Sequence, residues 1–232
     1  MAIIVKKINR PDTSLIKEVS GFGVATLHES LGKETNNLMD WQIKPIGRGM
    51  KVTGPAVTVD CFPADNITVH RAMTLCSPGD VLVVNGRSSS SAMFGSQMAH
   101  QSVHTGIAGI VVDGAVRDSE ELRKMGFACF ARFVSGMGAA KNTPGSINVP
   151  IQCGGVLVNP GDVIVGDDDG VVVVPSRKLQ GVIELAKKRE NKEAEARELY
   201  AMGSTSMELN RFQEIFDALK VKEQDTLDDL ME

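Results

Sequence analysis

The chain has 232 residues, 42% of them hydrophobic and only 4% aromatic, with a formal net charge of −4 and a pI near 5.6. This length buries a sizeable core in one domain, or in one domain plus a helical extension. The acidic balance, with no basic stripe or arginine-rich tail, argues against a nucleic-acid partner. No segment reaches about 18 consecutive apolar residues and the amino terminus is too short an apolar run for a signal peptide, so no membrane partner and a cytoplasmic location are expected.

In chain order, RPDTSLIKEVSGFGVATLHESLG (10–32) carries apolar residues at helical spacing, with Asp12 or Thr13 as a candidate N-cap and glycines at 21, 23 and 32; two short helices are predicted. GMKVTGPAVTVDCF reads as a strand, and DNITVHRAMTLC as a helix stopped by Ser77-Pro78-Gly79. SPGDVLVVNG (77–86) and NPGDVIVGDD (159–168) each place a Pro-Gly-Asp turn ahead of a valine-rich strand, so two strands enter the sheet through similar turns. SSSSAMFGSQMAHQSVHTG reads as a polar loop leading into a helix that ends near Gly106. A strand over 107–112, a loop holding Arg117 and a helix over 119–125 follow, completing a β-α-β-α stretch.

The later segment NVPIQCGGVLVNPGDVIVGDDDGVVVVP is strand-rich, and Asp167-Asp168-Asp169-Gly170 is read as a hairpin turn in preference to a metal site. From Ser176 a charged helix shows Leu179, Val182, Ile183, Ala186 and Tyr200 on one face, and Glu193 falls on the same stripe. Periodicity alone favours a Glu193 at the stripe's edge reaching water; a carboxylate facing inward would need a partner. One more short helix, MELNRFQEIFDALK, and an acidic tail expected to fray complete the chain. Cys61, Cys76, Cys129 and Cys153 form no CxxC pair and are expected as buried free thiols.

Candidate chemistry gathers at the junction DGAVRDSEEL (113–122). Asp118 with Glu121 three residues on has the spacing of a capping box. Arg117 precedes it at the carboxyl end of a predicted strand, where α/β sheets bind ligands, and its planar fork suits a carboxylate. Gly95, Ser96, Gln97 and Met98 open a helix whose first amides lack partners within it, a second place for an anion. His100 and His104 are four apart, but without the intervening Glu of the zinc-protease pattern they are read as surface or satisfied histidines.

The order GVATLHE, FGSQMAHQSVHTGIAGIVVDGAVRD, NVPIQCGGVLVNPGDVIVGDDDGVVVVP and a Glu-rich helix resembles the class II pyruvate aldolases acting on 4-hydroxy-4-methyl-2-oxoglutarate and 4-carboxy-4-hydroxy-2-oxoadipate, relatives of the protein A regulator of ribonuclease E activity. The likeness runs from about residue 5 to beyond 200. It implies an α/β fold, a swivelling β/β/α (phosphohistidine-domain-like) sandwich over 1–175, with carboxy-terminal helices at 176–232 packing on a neighbouring subunit of a homotrimer or homohexamer. It also implies a divalent metal, Mg or Mn, held by Asp118 and by Glu193 reaching into a neighbour's site. Arg117 would hold the pyruvate part of a small 2-oxo acid and its enolate, the Gln97 and Met98 amides its carboxylate, and Lys141 the distal carboxylate.

The family's pattern has an acid after the loop glycine where this chain has Gly95-Ser96-Gln97-Met98, and a serine hydroxyl is a far poorer base at neutral pH. The expected function is a metal-dependent lyase releasing pyruvate, as aldolase or oxaloacetate decarboxylase, with Arg117 and Ser96 in the catalytic machinery. The alternative is a non-catalytic, protein-binding regulator of the ribonuclease E inhibitor type. A methyltransferase is not expected, because no glycine-rich loop follows a first strand as a nucleotide-like cofactor would need.

Overall fold

In this computed structural model, residues 1–33, 36–224 and 226 are described. By contact density the chain divides into two units, Met1–Ala186 and Lys187–Glu232.

The first unit begins with the two expected helices, α1 (Thr13–Val19) and α2 (Val24–Leu31), then β1 (Lys44–Pro45), β2 (Val52–Asp60), α3 (Ile67–Met73) and β3 (Val81–Phe94). It continues through α4 (Ser96–Thr105), β4 (Gly109–Val116), α5 (Ser119–Met125), β5 (Ala128–Val134) and β6 (Ser146–Ile147). The hairpins β7 (Ile151–Cys153) with β8 (Val156–Val158), and β9 (Val163–Asp167) with β10 (Gly170–Val174), follow. A 3₁₀ turn at Ser176–Lys178 leads into α6 (Leu179–Ala201), which crosses the boundary between the units.

The main sheet runs β1-β5-β4-β3-β2-β9-β10, with β6 also on β2; β2, β3, β4 and β5 are parallel to one another, while β1, β6, β9 and β10 pair antiparallel. The edge strand β1 comes back against β9 and β10, so the sheet nearly closes into a barrel. Central strands read as unbroken apolar runs because both faces are covered. Val57, Val59, Leu82, Val84, Ile110 and Val112 point into a core shared with α3, α4 and α5. Their alternates Ala56, Val81, Val83 and Val111 point into a second core closed by the β7–β8 hairpin. Period-two alternation thus builds a β/β/α layering from sequences that show no alternation. The outer face of β9–β10, with Val163, Val165, Val172 and Val174, packs on α2 and on Leu179, Val182, Ile183 and Ala186 of α6.

Three expectations need correcting. The serine run is not a loop: β3 continues through Ser88–Ser91 to Phe94, paired to β4 with register shifts after Asn85, Ser89 and Ala92. Arg87 and Ser88 stand at φ of 55° and 51°, the local kink of a bulged strand. The last predicted helix is two, α7 (Ser206–Leu209) and α8 (Gln213–Ala218), because Arg211 takes a left-handed φ of 53° between them. Tyr200, placed on the buried stripe, is 42% exposed; within α6 the buried residues end at Ala186.

The Asp167–Gly170 turn is a two-residue hairpin, as expected, in which only Gly170 has positive φ (137°). Its carbonyls at Asp168 and Asp169 accept from Lys44 Nζ. Cys61, Cys129 and Cys153 are buried free thiols; Cys76 is free but only partly covered. The tail expected to fray lies largely outside the described residues.

Candidate active site

The junction lies at the carboxyl end of β4, where the parallel strands open toward α4 and α5. Asp118 occupies the N-cap position of α5 at a left-handed φ of 57°, and its side chain does not cap that helix, so the capping box with Glu121 is not formed. The carboxylate crosses instead to α4: Oδ2 accepts from the Ser96 N–H at 3.0 Å and from the Ser96 hydroxyl at 3.2 Å. A negative group at the amino end of α4 is favoured by the helix dipole as well as by the hydrogen bonds. The αL backbone is what turns the side chain away from its own helix, and Asp is among the few residues that adopt it readily.

Arg117 lies beside this pair, with Nε 3.6 Å from Asp118 Oδ2 and its backbone N–H bonded to Phe94 O. Its side chain is 48% exposed, so the fork has donors left for a ligand. Gly95 makes room for both side chains. Its backbone is extended, a conformation open to any residue, but a Cβ there would stand 2.6 Å from Asp118 Oδ2 and 3.0 Å from Arg117 Cγ.

At the start of α4 the Ser96 amide is taken by Asp118 and the Met98 amide reaches Gly95 O at 3.1 Å, while the Gln97 amide has no partner among the described residues. Ser96 is buried and Gln97 exposed, and the Met98 side chain turns inward to Asn66 Nδ2. One turn along α4, His100 Nε2 lies 3.1 Å from Glu121 Oε1. The Ser96 hydroxyl, and after it the His100 ring, hold the Glu121 carboxyl below its ordinary range. Glu121 therefore faces α4 from α5, a neighbour that sequence spacing alone read as a capping partner.

Lys141 sits on the loop after β5 and is exposed. The loop is pinned by Asp65, whose carboxylate accepts from the Ile67, Asn142 and Thr143 N–H groups at 2.9, 2.6 and 2.8 Å. Burial pushes the Asp65 carboxyl up, but those three donors and the Lys141 charge outweigh it and hold the group below the usual carboxylate range. Gly138 in the same loop comes close to Arg117, so loop and junction adjoin. The Lys141 charge itself acts on Asp65 and His70.

Glu193 belongs to the second unit, where it pairs with Arg189 at 2.8 Å and Arg197 at 4.0 Å along α6. Thus Ser96 and Arg117 both approach Asp118, Gly95 leaves the space beside it, Lys141 is on an adjoining loop, and Glu193 pairs within its own unit. Among the described residues no three His, Cys, Asp or Glu converge as a cation cage. Among the described residues Asp118 Oδ1 has no hydrogen-bond partner, in a partly exposed setting, which fits a hard cation that keeps most of its waters, as Mg does, and not a closed structural site.

Fold and junction together define an α/β protein with a cluster of charged side chains, Arg117 and Asp118, at the carboxyl end of a parallel strand. Residues 24–173 match the family model described as RraA-like, Aldolase/RraA, and the chain belongs to that family. A Halalkalibacterium halodurans protein with the name "Putative 4-hydroxy-4-methyl-2-oxoglutarate aldolase" is 43% identical over 157 residues, 67% of this chain and 74% of that one. Among solved structures, Streptomyces coelicolor RraAS2, described as an unusual member of the RNase ES inhibitor RraA protein family, superposes with a TM-score of 0.77 at 32% identity, covering 82% of this chain and 99% of that one. A Geobacillus kaustophilus structure described as an S-adenosylmethionine:2-dimethylmenaquinone methyltransferase gives a TM-score of 0.61 at 32% identity, covering 66% and 95%. The β/β/α reading of the fold is thereby established. No helix among the described residues is long and apolar enough to cross a membrane.

Proposed function

We propose that the chain is a divalent-metal-dependent lyase that breaks a C–C bond of a small 2-oxo acid to release pyruvate, as an aldolase of the 4-hydroxy-4-methyl-2-oxoglutarate type, an oxaloacetate decarboxylase, or both. The observation that carries this reading is the Asp118 carboxylate: it leaves its own helix cap and lies beside the Arg117 guanidinium at the mouth of the sheet.

Both reactions leave an electron pair on C3 of the pyruvate fragment, delocalised as an enolate. In decarboxylation the C3–carboxyl bond breaks, carbon dioxide departs, and C3 then takes a proton. In aldol cleavage a hydroxyl first gives up its proton, the C3–C4 bond breaks, and C4 becomes a carbonyl. A Mg or Mn ion, when bound, supplies a Lewis acid for the 2-oxo group, an effect of several kcal/mol. Asp118 would hold that ion through Oδ1, and Glu193 of a neighbouring copy in a homotrimer or homohexamer would complete its shell. Arg117 presents a fixed positive charge to the developing enolate oxygen. The free Gln97 amide at the dipole end of α4 suits the substrate carboxylate, with Gly95 and Met98 shaping that pocket and Lys141 serving a distal carboxylate. Ser96, locked to Asp118, orients that carboxylate and is a weak base, which favours decarboxylation over removal of a hydroxyl proton.

The test is coupled pyruvate release with Mg or Mn, offering oxaloacetate and the two hydroxy-oxo acids in parallel. Metal-dependent pyruvate from at least one is expected. None from any of them favours the second reading, a non-catalytic protein-binding regulator, which the likeness to RraAS2 supports.

A further inference from the structure

At the other end of α5 the surface changes sign. Arg123 lies in its last turn, with Asp118 before its first; seven helical residues put about 10 Å between the two ends. There the segment KPIGRGMK (44–51) and the start of β5 enclose two adjoining hollows of about 560 and 340 Å³ that share Gly47 and Arg48. The larger is lined by Lys44, Arg48 and Asp168, the smaller by Arg48, Lys51 and Arg123 with no acidic side chain.

Four cations on a chain of net charge −4 is a local excess, and none of the four is in an ion pair among the described residues. By contrast Lys124, next in sequence to Arg123, pairs with Glu120 at 2.6 Å. The one acid present is already committed: Asp168 accepts from the Gly49 N–H at 2.9 and 3.2 Å, a bond that fixes the loop. Two of the cations are held in place by neutral groups. Arg123 donates from Nη1 to Ile46 O at 3.2 Å, and Lys44 donates to Asp169 O at 2.7 Å. Gly47 makes the first arrangement possible, since a Cβ there would stand 3.0 Å from Arg123 Cγ and from Met50 Cε. An arginine oriented through one nitrogen, with the rest of its fork open, is prepared for a tetrahedral oxyanion.

We propose that this cradle is a second ligand site, separate from the lyase site, for a small molecule carrying two adjacent phosphoryl groups, held in the acid-free hollow between the Arg48 and Arg123 guanidiniums. Convergent like charges repel one another, and a multiply charged oxyanion relieves that repulsion while meeting the open donors.

Calorimetric titration of the full chain with inorganic pyrophosphate, inorganic phosphate and sulfate tests this. Pyrophosphate should bind at least about tenfold tighter than either single tetrahedral anion, since bridging two subsites makes the second contact intramolecular. Arg48→Gln and Arg123→Gln should each weaken it by about tenfold or more, while Lys124→Gln and Asp118→Asn leave it unchanged. Equal, weak binding of all three anions, insensitive to Arg48→Gln and Arg123→Gln, would show mere charge screening and overturn the proposal. Tight binding lost in Arg117→Gln but kept in Arg123→Gln would do the same by moving the anion to the sheet mouth. An oligonucleotide that displaces pyrophosphate with an affinity growing with its length would overturn the small-ligand assignment. Because Asp118→Asn is silent here and damaging to pyruvate release, failure of one proposal is separable from failure of the other.

Discussion

Asp118 reaches across 22 residues to accept both the backbone N–H and the hydroxyl of Ser96, tying the end of β4 to the start of α4. The same carboxylate oxygen lies 3.6 Å from Arg117 Nε, so one group joins two helices and a candidate substrate-binding cation.

The space beside that carboxylate is specified by Gly95. Gly95→Ala should fold, since its backbone is extended, yet its methyl would push Asp118 Oδ2 and the Arg117 stem aside. Misplacement on the order of 1 Å costs about 100-fold in rate. Pyruvate release should fall by that order while the thermal midpoint moves by only a few degrees; an unchanged rate would show that the carboxylate position is immaterial.

Asp118→Asn keeps a residue that tolerates left-handed φ and an oxygen acceptor for Ser96, whereas Asp118→Ala keeps neither. Both should lose metal-dependent turnover. Only the alanine variant should also lose stability, by about 1 kcal/mol, as for a lost helix cap. Urea unfolding separates the two, and unfolding of both variants would give Asp118 a purely structural role.

Asp65 gives a pH dependence with a definite sign. Its carboxyl is held below the ordinary aspartate value of 3.8, so its contribution is fully present above that value and is lost as pH falls through the folded pKa. Asp65→Asn should destabilise the chain by about 1–3 kcal/mol at pH 7, because three part-buried N–H donors lose a charged acceptor. The gap from wild type should narrow steadily below pH 3.8; a gap independent of pH would contradict the assignment.

Arg132 binds Asp113 through Nε at 2.7 Å and Asp40 through Nη1 at 2.8 Å, with its side chain only 11% exposed. Asp113 also accepts from the Gly154 N–H at 2.8 Å, which fastens the β7–β8 hairpin to the main sheet. Arg132→Ala leaves a carboxylate covered and unpaired and should cost about 3–5 kcal/mol. Retention of wild-type stability in chemical denaturation would show that water replaces the guanidinium at no cost.

Cys61 and Cys129 are pushed up to about 12 by burial. Neither thiol should react with a disulfide reagent at pH 8 until the chain unfolds, as thiolate is the reactive form. Rapid labelling of the native chain at either position would refute their burial.

Much of this could be read in advance because local chemistry decides it. The helix at 119–125 forms over the expected span, and Gly106 ends α4 as an αL cap where the sequence placed its stop. Ser88–Ser91 hid a strand because polar composition mimics a loop, while the stabilising partners are remote: Ser88 bonds Asp113, and Ala92 bridges to Gly138. Asp118 and Glu121 illustrate the same limit. Their spacing is right for a capping box, but the left-handed backbone and the presence of α4 supply better partners that no short window contains. Lys44–Pro45 is too short to be seen as a strand and is fixed by Ala131 and Phe130 of β5.

Between the pairs Asn85↔Asp113 and Phe94↔Val116, β3 takes nine steps while β4 takes three. The surplus backbone is slack paid out above an unchanged foundation, since the ladder from Val81 to Asn85 keeps its register whatever lies beyond. A change in the number of residues there would reshape the upper part of β3 without disturbing the ladder beneath it, so this stretch can vary while the scaffold stays constant.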